Sequence, residues 1–263
     1  MQYQTILFQL TAGVARLTLN RPERLNSFTV EMHGEVRHAL GQVTVANGAR
    51  VLVLTGAGRG FCAGQDLNDR AVAPGSAAVD LGDSIEKYYA PLITTLRNLP
   101  MPVIAAVNGV AAGAGANIAI ACDLVVAARS ASFVQAFCKL GLVPDSAGTW
   151  SLPRLVGPAR AFGLALTGER LSAEEAARWG MIWKVVDDDA LESTVESLAQ
   201  QLAVAPTRGL ARTKQALNAA WQNTLEQQLN LERDYQRELG ASEDYREGVR
   251  AFIEKRAPNF TGR

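Results

Sequence analysis

Three apolar runs of strand length recur in the first half of the chain: Val51-Leu52-Val53-Leu54-Thr55, Val103-Ile104-Ala105-Ala106-Val107 and Leu124 to Ala128. Runs of this length and composition read as buried strands. Helical spacing between them implies crossover units and a largely parallel sheet, hence an α/β fold. The first two runs are each followed by a small-residue segment, Gly60-Phe61-Cys62-Ala63-Gly64-Gln65-Asp66 and Asn108-Gly109-Val110-Ala111-Ala112-Gly113-Ala114-Gly115. Both segments are expected to emerge at one sheet edge, where ligand crevices of open α/β sheets lie. With glycine or alanine there, a ligand oxygen can approach the backbone N–H groups, and two such amides can hold one oxyanion. Either segment alone reads first as a tight strand-to-helix turn. As a pair they favour an anion trap, because the second also enters a short buried helix, Ala116 to Ala121, whose N-terminal dipole attracts negative charge.

Other uses of glycine fail on spacing. Gly56-Ala57-Gly58-Arg59-Gly60-Phe61 carries Phe61 where a dinucleotide fingerprint needs its last small residue, and no Gly-Lys-Ser/Thr follows to form a phosphate loop. Lys+Arg and Asp+Glu are both 26, with no block of like charge, so neither nucleic acid nor a membrane surface is expected as a partner. No basic leader and no stretch of ~20 apolar residues is present, and a soluble cytoplasmic protein is expected. Cys62, Cys122 and Cys138 lack C-x-x-C spacing, which argues against a disulfide framework or a zinc site. A nucleophilic Cys62 would need a base, yet the two histidines, His33 and His38, lie in an amphipathic helix candidate away from the glycine segments. No metal is expected.

At 263 residues one core can bury ~75% of the unfolded surface. Thr5 to Gln9 and Val14 to Leu19 read as a hairpin around Thr11-Ala12-Gly13, followed by a helix from about Val30 to Val45. The polar and small stretch from Asn68 to Asp83 is either a lid or pocket wall, or a surface excursion. Beyond Ser146 the character becomes helical. Ser172-Ala173-Glu174-Glu175 and Thr224-Leu225-Glu226-Gln227 match helix-start capping boxes, and amphipathic spacing runs from Asp189 to Lys255. Leu225, Leu229 and Leu231 beside Glu232, Arg233 and Asp234 suggest a helix with one buried face, turned either to its own core or to another subunit.

Arg21-Pro22-Glu23-Arg24-Leu25-Asn26-Ser27, Gly60 to Leu67, Ala112-Gly113-Ala114-Gly115, Gly141-Leu142-Val143-Pro144-Asp145 and Phe252 to Pro258 occur in an order that resembles the crotonase (enoyl-CoA hydratase/isomerase) superfamily. The likeness spans almost the whole chain. Gly64 to Arg70, Pro144-Asp145 with Gly148-Thr149-Trp150, and Glu232 to Arg237 carry a closer likeness to the branch that isomerises ring-epoxidised phenylacetyl-CoA.

The resemblance implies a crotonase (ClpP-like) spiral of β-β-α units with its CoA-ester site in residues 1–200. Residues 201–263 would be a helical region for assembly and CoA contacts. It implies a homo-oligomer, a trimer or dimer of trimers. The substrate would be an acyl-CoA thioester, with CoA part of the substrate and no separate cofactor. The Gln65 and Ala114 amides would hold the thioester oxygen. Arg24, with Ala63, Leu67 and Gly113, would line the CoA-ester site, while Phe252 and Lys255 would reach the adenine end from a neighbouring subunit. Asp66 would fix the loop or meet the CoA arm.

Asn117 and Phe137 correspond to the two glutamates of the family's hydratases, and neither can exchange a proton. Asn117 could orient substrate or water, and Phe137 would shape the acyl pocket with Phe133 and Trp150. Asp145 would carry the proton, as in isomerases of the superfamily. Its apolar neighbours Leu142, Val143, Pro144 and Ala147 are expected to raise its pKa toward neutrality. By local context alone Asp145 reads first as a turn residue or a helix N-cap. The implied activity is isomerisation of a ring epoxide to an oxepin and migration of a Δ3 double bond to Δ2. The alternatives are a hydratase using a residue of the 68–83 stretch, or a weakly catalytic acyl-CoA-binding subunit.

Overall fold

Strands β1 (Ile6–Thr11) and β2 (Val14–Leu19) form an antiparallel hairpin. Ala12 and Gly13 turn it with φ of 50° and 83°, the doubly left-handed geometry that matches strand twist. The structure, a computed structural model, describes residues 2–70 and 80–262. Helix α1 (Val30–Gln42) starts at Thr29, whose hydroxyl accepts the Met32 N–H, and leads into β3 (Val51–Gly56) and β4 (Gly60–Cys62).

Next come α2 (Leu81–Ser84), a π-helical turn at Ile85–Tyr89 and α3 (Ala90–Asn98). Strands β5 (Val103–Val107) and β6 (Val110–Ala112) precede α4 (Ala114–Ala121). They are followed by β7 (Leu124–Ala128), β8 (Ser132–Val134), α5 (Gly148–Val156) and α6 (Pro158–Thr167). Then β9 (Arg170–Ser172), α7 (Ala173–Arg178) and β10 (Lys184–Val186) complete the sheets, and α8 (Leu191–Ala203), α9 (Thr207–Ala219), α10 (Leu225–Gly240) and α11 (Glu243–Glu254) finish the chain.

The strands sort into two sheets. One runs β1-β2-β3-β5-β7-β10, parallel beyond its first hairpin; the other runs β4-β6-β8-β9. Each successive pair β3/β4, β5/β6 and β7/β8 gives its first strand to the larger sheet and its second to the smaller one, and helices then carry the chain to the next pair. This is a spiral of β-β-α turns. Strand β5 is buried along its whole length and β3 nearly so, which is why their sequences are apolar rather than alternating. All eight residues of α4 are buried, and its Ala and Gly content lets it lie against both sheets.

Helix α8 lays Val195, Ala199 and Ala203 on the larger sheet. A division at residue 200 therefore falls inside α8, and the chain leaves the core at 204–206. Lys214 on α9 ties the following helices down: its ammonium donates to the carbonyls of Leu96 (2.9 Å) and Met101 (3.4 Å) and pairs with Asp123 at 2.8 Å. The capping box of α10 forms as expected at Thr224 and Gln227, and Ser172 caps α7. The apolar face expected to be buried on α10 is open in the single chain, with Leu225 77% and Leu229 55% exposed. Of the 68–83 stretch, Asn68–Arg70 forms a 3-10 turn and Asp80 caps α2; the lid or pocket-wall expectation otherwise lies outside the described residues. Among the described residues no helix is long and apolar enough to cross a membrane.

Candidate active site

Strands β4 and β6 are parallel neighbours, so the two glycine-rich segments leave the smaller sheet side by side. Their contact is backbone on backbone. A Cβ on Gly64, where φ is +91°, would lie 2.9 Å from the Ala112 oxygen and 3.3 Å from the Ala114 nitrogen. One on Gly115 would fall 2.2 Å from the Cys62 oxygen. Phe28 brackets the first loop: its N–H donates to the Gly64 carbonyl (2.7 Å), and its carbonyl accepts the Asp66 N–H (2.9 Å). Between those bonds the Gln65 N–H donates to no protein acceptor among the described residues. The same is true of the Ala114 N–H at the start of α4. Two unused amides at adjoining loops, one on a helix N-terminus, suit a carbonyl oxygen that gains negative charge.

Side chains hold this backbone in place. The Gln65 amide donates to the Phe28 carbonyl (3.0 Å) and accepts from the Tyr89 hydroxyl (2.9 Å). Arg21 pairs with buried Asp66 at 3.0 Å, and Asp66 also accepts the Asn68 N–H at 3.0 Å. Burial alone would push the Asp66 carboxyl up. The Arg21 and Asn68 hydrogen bonds and the charges of Arg21 and Arg24 outweigh it and hold the carboxyl below the usual range. Asp66 is thus occupied in fixing the loop. Buried Asn26, itself left-handed at φ 57°, donates to the carbonyls of Ala57 (2.9 Å) and Gly60 (2.8 Å) and accepts the Arg21 N–H (2.9 Å). The motif that contains Arg21 and Asn26 does not reveal these roles in the sequence, and no sequence pattern marks Tyr89. The one available signal was an Asn between loop residues, a residue type that tolerates the left-handed region.

One helical turn along α4 from Ala114 stands Asn117, only 1% exposed. Its Nδ2 donates to the Asp145 carbonyl and its Oδ1 accepts from Gln135 Nε2, both at 2.8 Å. Both ends of the amide are therefore engaged within the protein, and Asn117 positions the Asp145 turn. After Asp145 come two consecutive left-handed non-glycine residues, Ser146 (φ 50°) and Ala147 (φ 62°). Such backbone costs on the order of 1–3 kcal/mol per residue and persists only where its surroundings enforce it. Ser146 Oγ donates to Asp145 Oδ1 at 2.9 Å.

Asp145 does not cap α5, whose N-cap is Ala147, although its carbonyl accepts the Gly148 N–H at 2.8 Å in a turn. Leu142 and Val143, expected to shield Asp145, instead face outward, Val143 being 70% exposed, because left-handed Gly141 ends the preceding 3-10 turn and redirects the chain.

Phe137 is buried with its ring tip beside the second loop, 3.8 Å from where a Gly113 Cβ would stand. Ala63 is half-buried and donates its N–H to Leu25 (2.9 Å), which brings the 21–25 segment against the first loop. Arg24 and Leu67 are exposed at that edge. Phe252 and Lys255 lie at the exposed C-terminal end of α11, which packs on α10. Burial pushes the Cys62 thiol up to about 12, so it is no nucleophile at neutral pH. His33 is buried in an aromatic cluster, 4.5 Å from Phe28 and 4.5 Å from Tyr89 between ring centres. Among the described residues no group of three or more His, Cys, Asp or Glu is placed to hold a metal. A cavity of about 740 Å³ opens at the other end of α4, lined by Ile120, Cys122, Trp150 and Lys214, away from the paired amides.

A spiral of β-β-α turns, with two unengaged main-chain amides at adjoining strand exits, has the crotonase fold. The family described as enoyl-CoA hydratase/isomerase matches residues 9–263, and the chain belongs to that family. It is 62% identical to the 1,2-epoxyphenylacetyl-CoA isomerase of Escherichia coli K12, over 98% of each chain. It is 49% identical to a probable enoyl-CoA hydratase of Rhodobacter capsulatus, over the full length of both. Among solved structures, the enoyl-CoA hydratase of Bacillus anthracis superposes with a TM-score of 0.90 at 34% identity, covering 99% of this chain and 100% of that one.

Proposed function

We propose that this enzyme isomerises acyl-CoA thioesters, converting ring-1,2-epoxyphenylacetyl-CoA to oxepin-CoA in aerobic phenylacetate degradation and shifting Δ3 double bonds to Δ2 in unsaturated acyl-CoA. The 62% identity to an isomerase of that name, over nearly the whole of both chains, carries the reading. The side chains around the paired amides support it. The carboxylate residue Asp145 is tethered by its main chain to α4, Asp66 is held by Arg21, and buried Asn117 and Phe137 carry no acid to deliver water.

In double-bond migration the Asp145 carboxylate takes a proton from the carbon between the thioester and the alkene. The electron pair left behind delocalises through the carbonyl, and negative charge builds on the thioester oxygen. The Gln65 and Ala114 amides meet that charge, and they are worth most at that moment because they are already oriented and cost no reorganisation. Asp145 then returns the proton to the far carbon of the allyl system. The double bond has moved into conjugation and no atom has been gained or lost. Ring expansion of the epoxide is likewise an isomerisation, and the same amides polarise the same thioester.

Assembly into a trimer or dimer of trimers through the C-terminal helices completes the reading. Its support is the open apolar face of α10 and the 86% exposure of Phe252. In that arrangement Phe252 and Lys255 contact CoA bound to a neighbouring subunit, beside Arg24 of that subunit.

The test is to incubate the pure protein with Δ3-enoyl-CoA and Δ2-enoyl-CoA separately. Migration without hydration is expected; accumulation of 3-hydroxyacyl-CoA would instead identify a hydratase, and tight binding without turnover a binding subunit. Sedimentation of the free enzyme tests the assembly.

A further inference from the structure

We propose that Tyr89 is a positioning residue for the Gln65 amide, and so acts on the reaction without touching substrate; the inference rests on that amide being a thioester donor. The Tyr89 hydroxyl donates to Gln65 Oε1 at 2.9 Å, and Gln65 Nε2 donates to the Phe28 carbonyl at 3.0 Å. That carbonyl also accepts the Asp66 N–H. A chain of hydrogen bonds therefore runs from Tyr89 through the Gln65 side chain to the main-chain group that already holds the next residue of the loop. The two ends of an amide differ, one accepting and one donating, so this pair of partners fixes the rotation of the Gln65 side chain as well as its position. The residue whose N–H faces the site is clamped by its own side chain.

Tyr89 is itself rigidly placed. It is 1% exposed, with its ring perpendicular to His33 at 4.5 Å and 6.1 Å from Phe28. It ends the π-helical turn Ile85–Tyr89 between α2 and α3. A π turn adds a residue to the helical repeat and so changes which side chain meets the core. Here Tyr89 is buried while Tyr88 next to it is half-exposed.

An oxyanion donor acts through direction as well as presence, and deleting one costs ~10²–10³ in kcat. Tyr89→Phe keeps the N–H and releases its clamp, so a smaller loss, ~10-fold in kcat, is expected. Two variants, Tyr89→Phe and Gln65→Ala, are compared with wild type in double-bond migration and in the infrared carbonyl stretch of a bound, isotope-labelled saturated acyl-CoA. In wild type the stretch should move to lower frequency on binding. Both variants should recover part of that shift, lower kcat and leave KM unchanged, and the double variant should be no worse than Gln65→Ala alone.

An unchanged carbonyl shift in Tyr89→Phe, or a loss expressed only in KM, overturns the role of Tyr89. Should Tyr89→Phe fail to fold, Gln65→Ala alone decides, since it removes the clamp and keeps the main-chain donor. Absence of any shift in wild type would remove the thioester-donor reading of Gln65, and the inference with it.

Discussion

Asn117 holds the main chain of Asp145: its side-chain Nδ2 donates to the Asp145 carbonyl at 2.8 Å while its Oδ1 is held by Gln135. A residue on the helix that begins at Ala114 thus sets where the candidate proton carrier stands. Replacing Asn117 with Leu removes the tether from the Asp145 carbonyl, which keeps the Gly148 N–H, and leaves the Gln135 Nε2 without its acceptor in a buried place. Leaving such groups unpaired costs ~1–3 kcal/mol, and denaturant unfolding of the variant should show that loss together with a fall in kcat. Unaltered stability would mean that the tether does not constrain the turn.

Asp145→Asn preserves size and turn geometry while removing the base. Binding of CoA esters should be retained and double-bond migration should fall by ~10²–10⁴, the usual contribution of a positioned acid–base group. Direct assay with Δ3-enoyl-CoA checks this, and near-full activity would sink the role.

Gly64→Ala and Gly141→Ala separate strain from obstruction. Both positions are left-handed, at φ +91° and +69°, but a Cβ at Gly141 meets nothing within 4 Å, whereas one at Gly64 lands beside the Ala112 oxygen and Ala114 nitrogen. Gly141→Ala should cost ~1–2 kcal/mol of stability from conformation alone and keep the catalytic rate. Gly64→Ala should lose ~10² or more in kcat, because it pushes apart the loops that carry the two amides.

Acid should loosen the first loop through Asp66. Its carboxyl is held below its ordinary value, so the unfolded chain binds the proton more readily. Its stabilising contribution is then present above the unfolded pKa of about 3.9 and disappears as pH falls through the lower folded value. The stability advantage of wild type over Asp66→Asn, measured by urea unfolding, should therefore be constant near neutrality and shrink toward acid. An advantage independent of pH would show that the Arg21 pairing contributes nothing.

Thiol reagents provide a further check on the site. Cys62 and Cys122 are buried with thiols pushed up by burial, while Cys138 is half-buried. Native enzyme should label at Cys138 first and release the other two only on unfolding. Rapid labelling of Cys62 with loss of activity would contradict the packing of β4.

The strands were legible because β3, β5 and β7 are buried on both faces and so read as unbroken apolar runs. The capping residues Ser172 and Thr224 were legible because capping is local. What escaped was relational. Arg21 and Asp66 are forty-five positions apart in their pairing, and Tyr89 reaches Gln65 from a helix whose π turn leaves no mark in the spacing of apolar residues. The outward course of Leu142 and Val143 was hidden for a related reason, since their apolar character says they tend to be covered but not by what. The two glycine segments could be paired from sequence only because each follows its strand at once, and parallel strands share an exit edge.

Among the described strands the first hairpin is the one pairing that a short turn can close. Every later ladder joins segments that no short turn connects: β2 with β3 spans Leu19 to Val51, β3 with β5 spans Gly56 to Val103, and even β5 with β7 spans Val107 to Leu124. Because each turn of the spiral sends consecutive strands to different sheets, neighbours in sequence give little early reward to one another. A chain built this way has its contacts weighted toward the non-local, which slows two-state folding toward the ms–s range or beyond. The ribosome releases β1 and β2 first, and that ribbon must wait, with its β2 edge open, until β3 arrives to cover it.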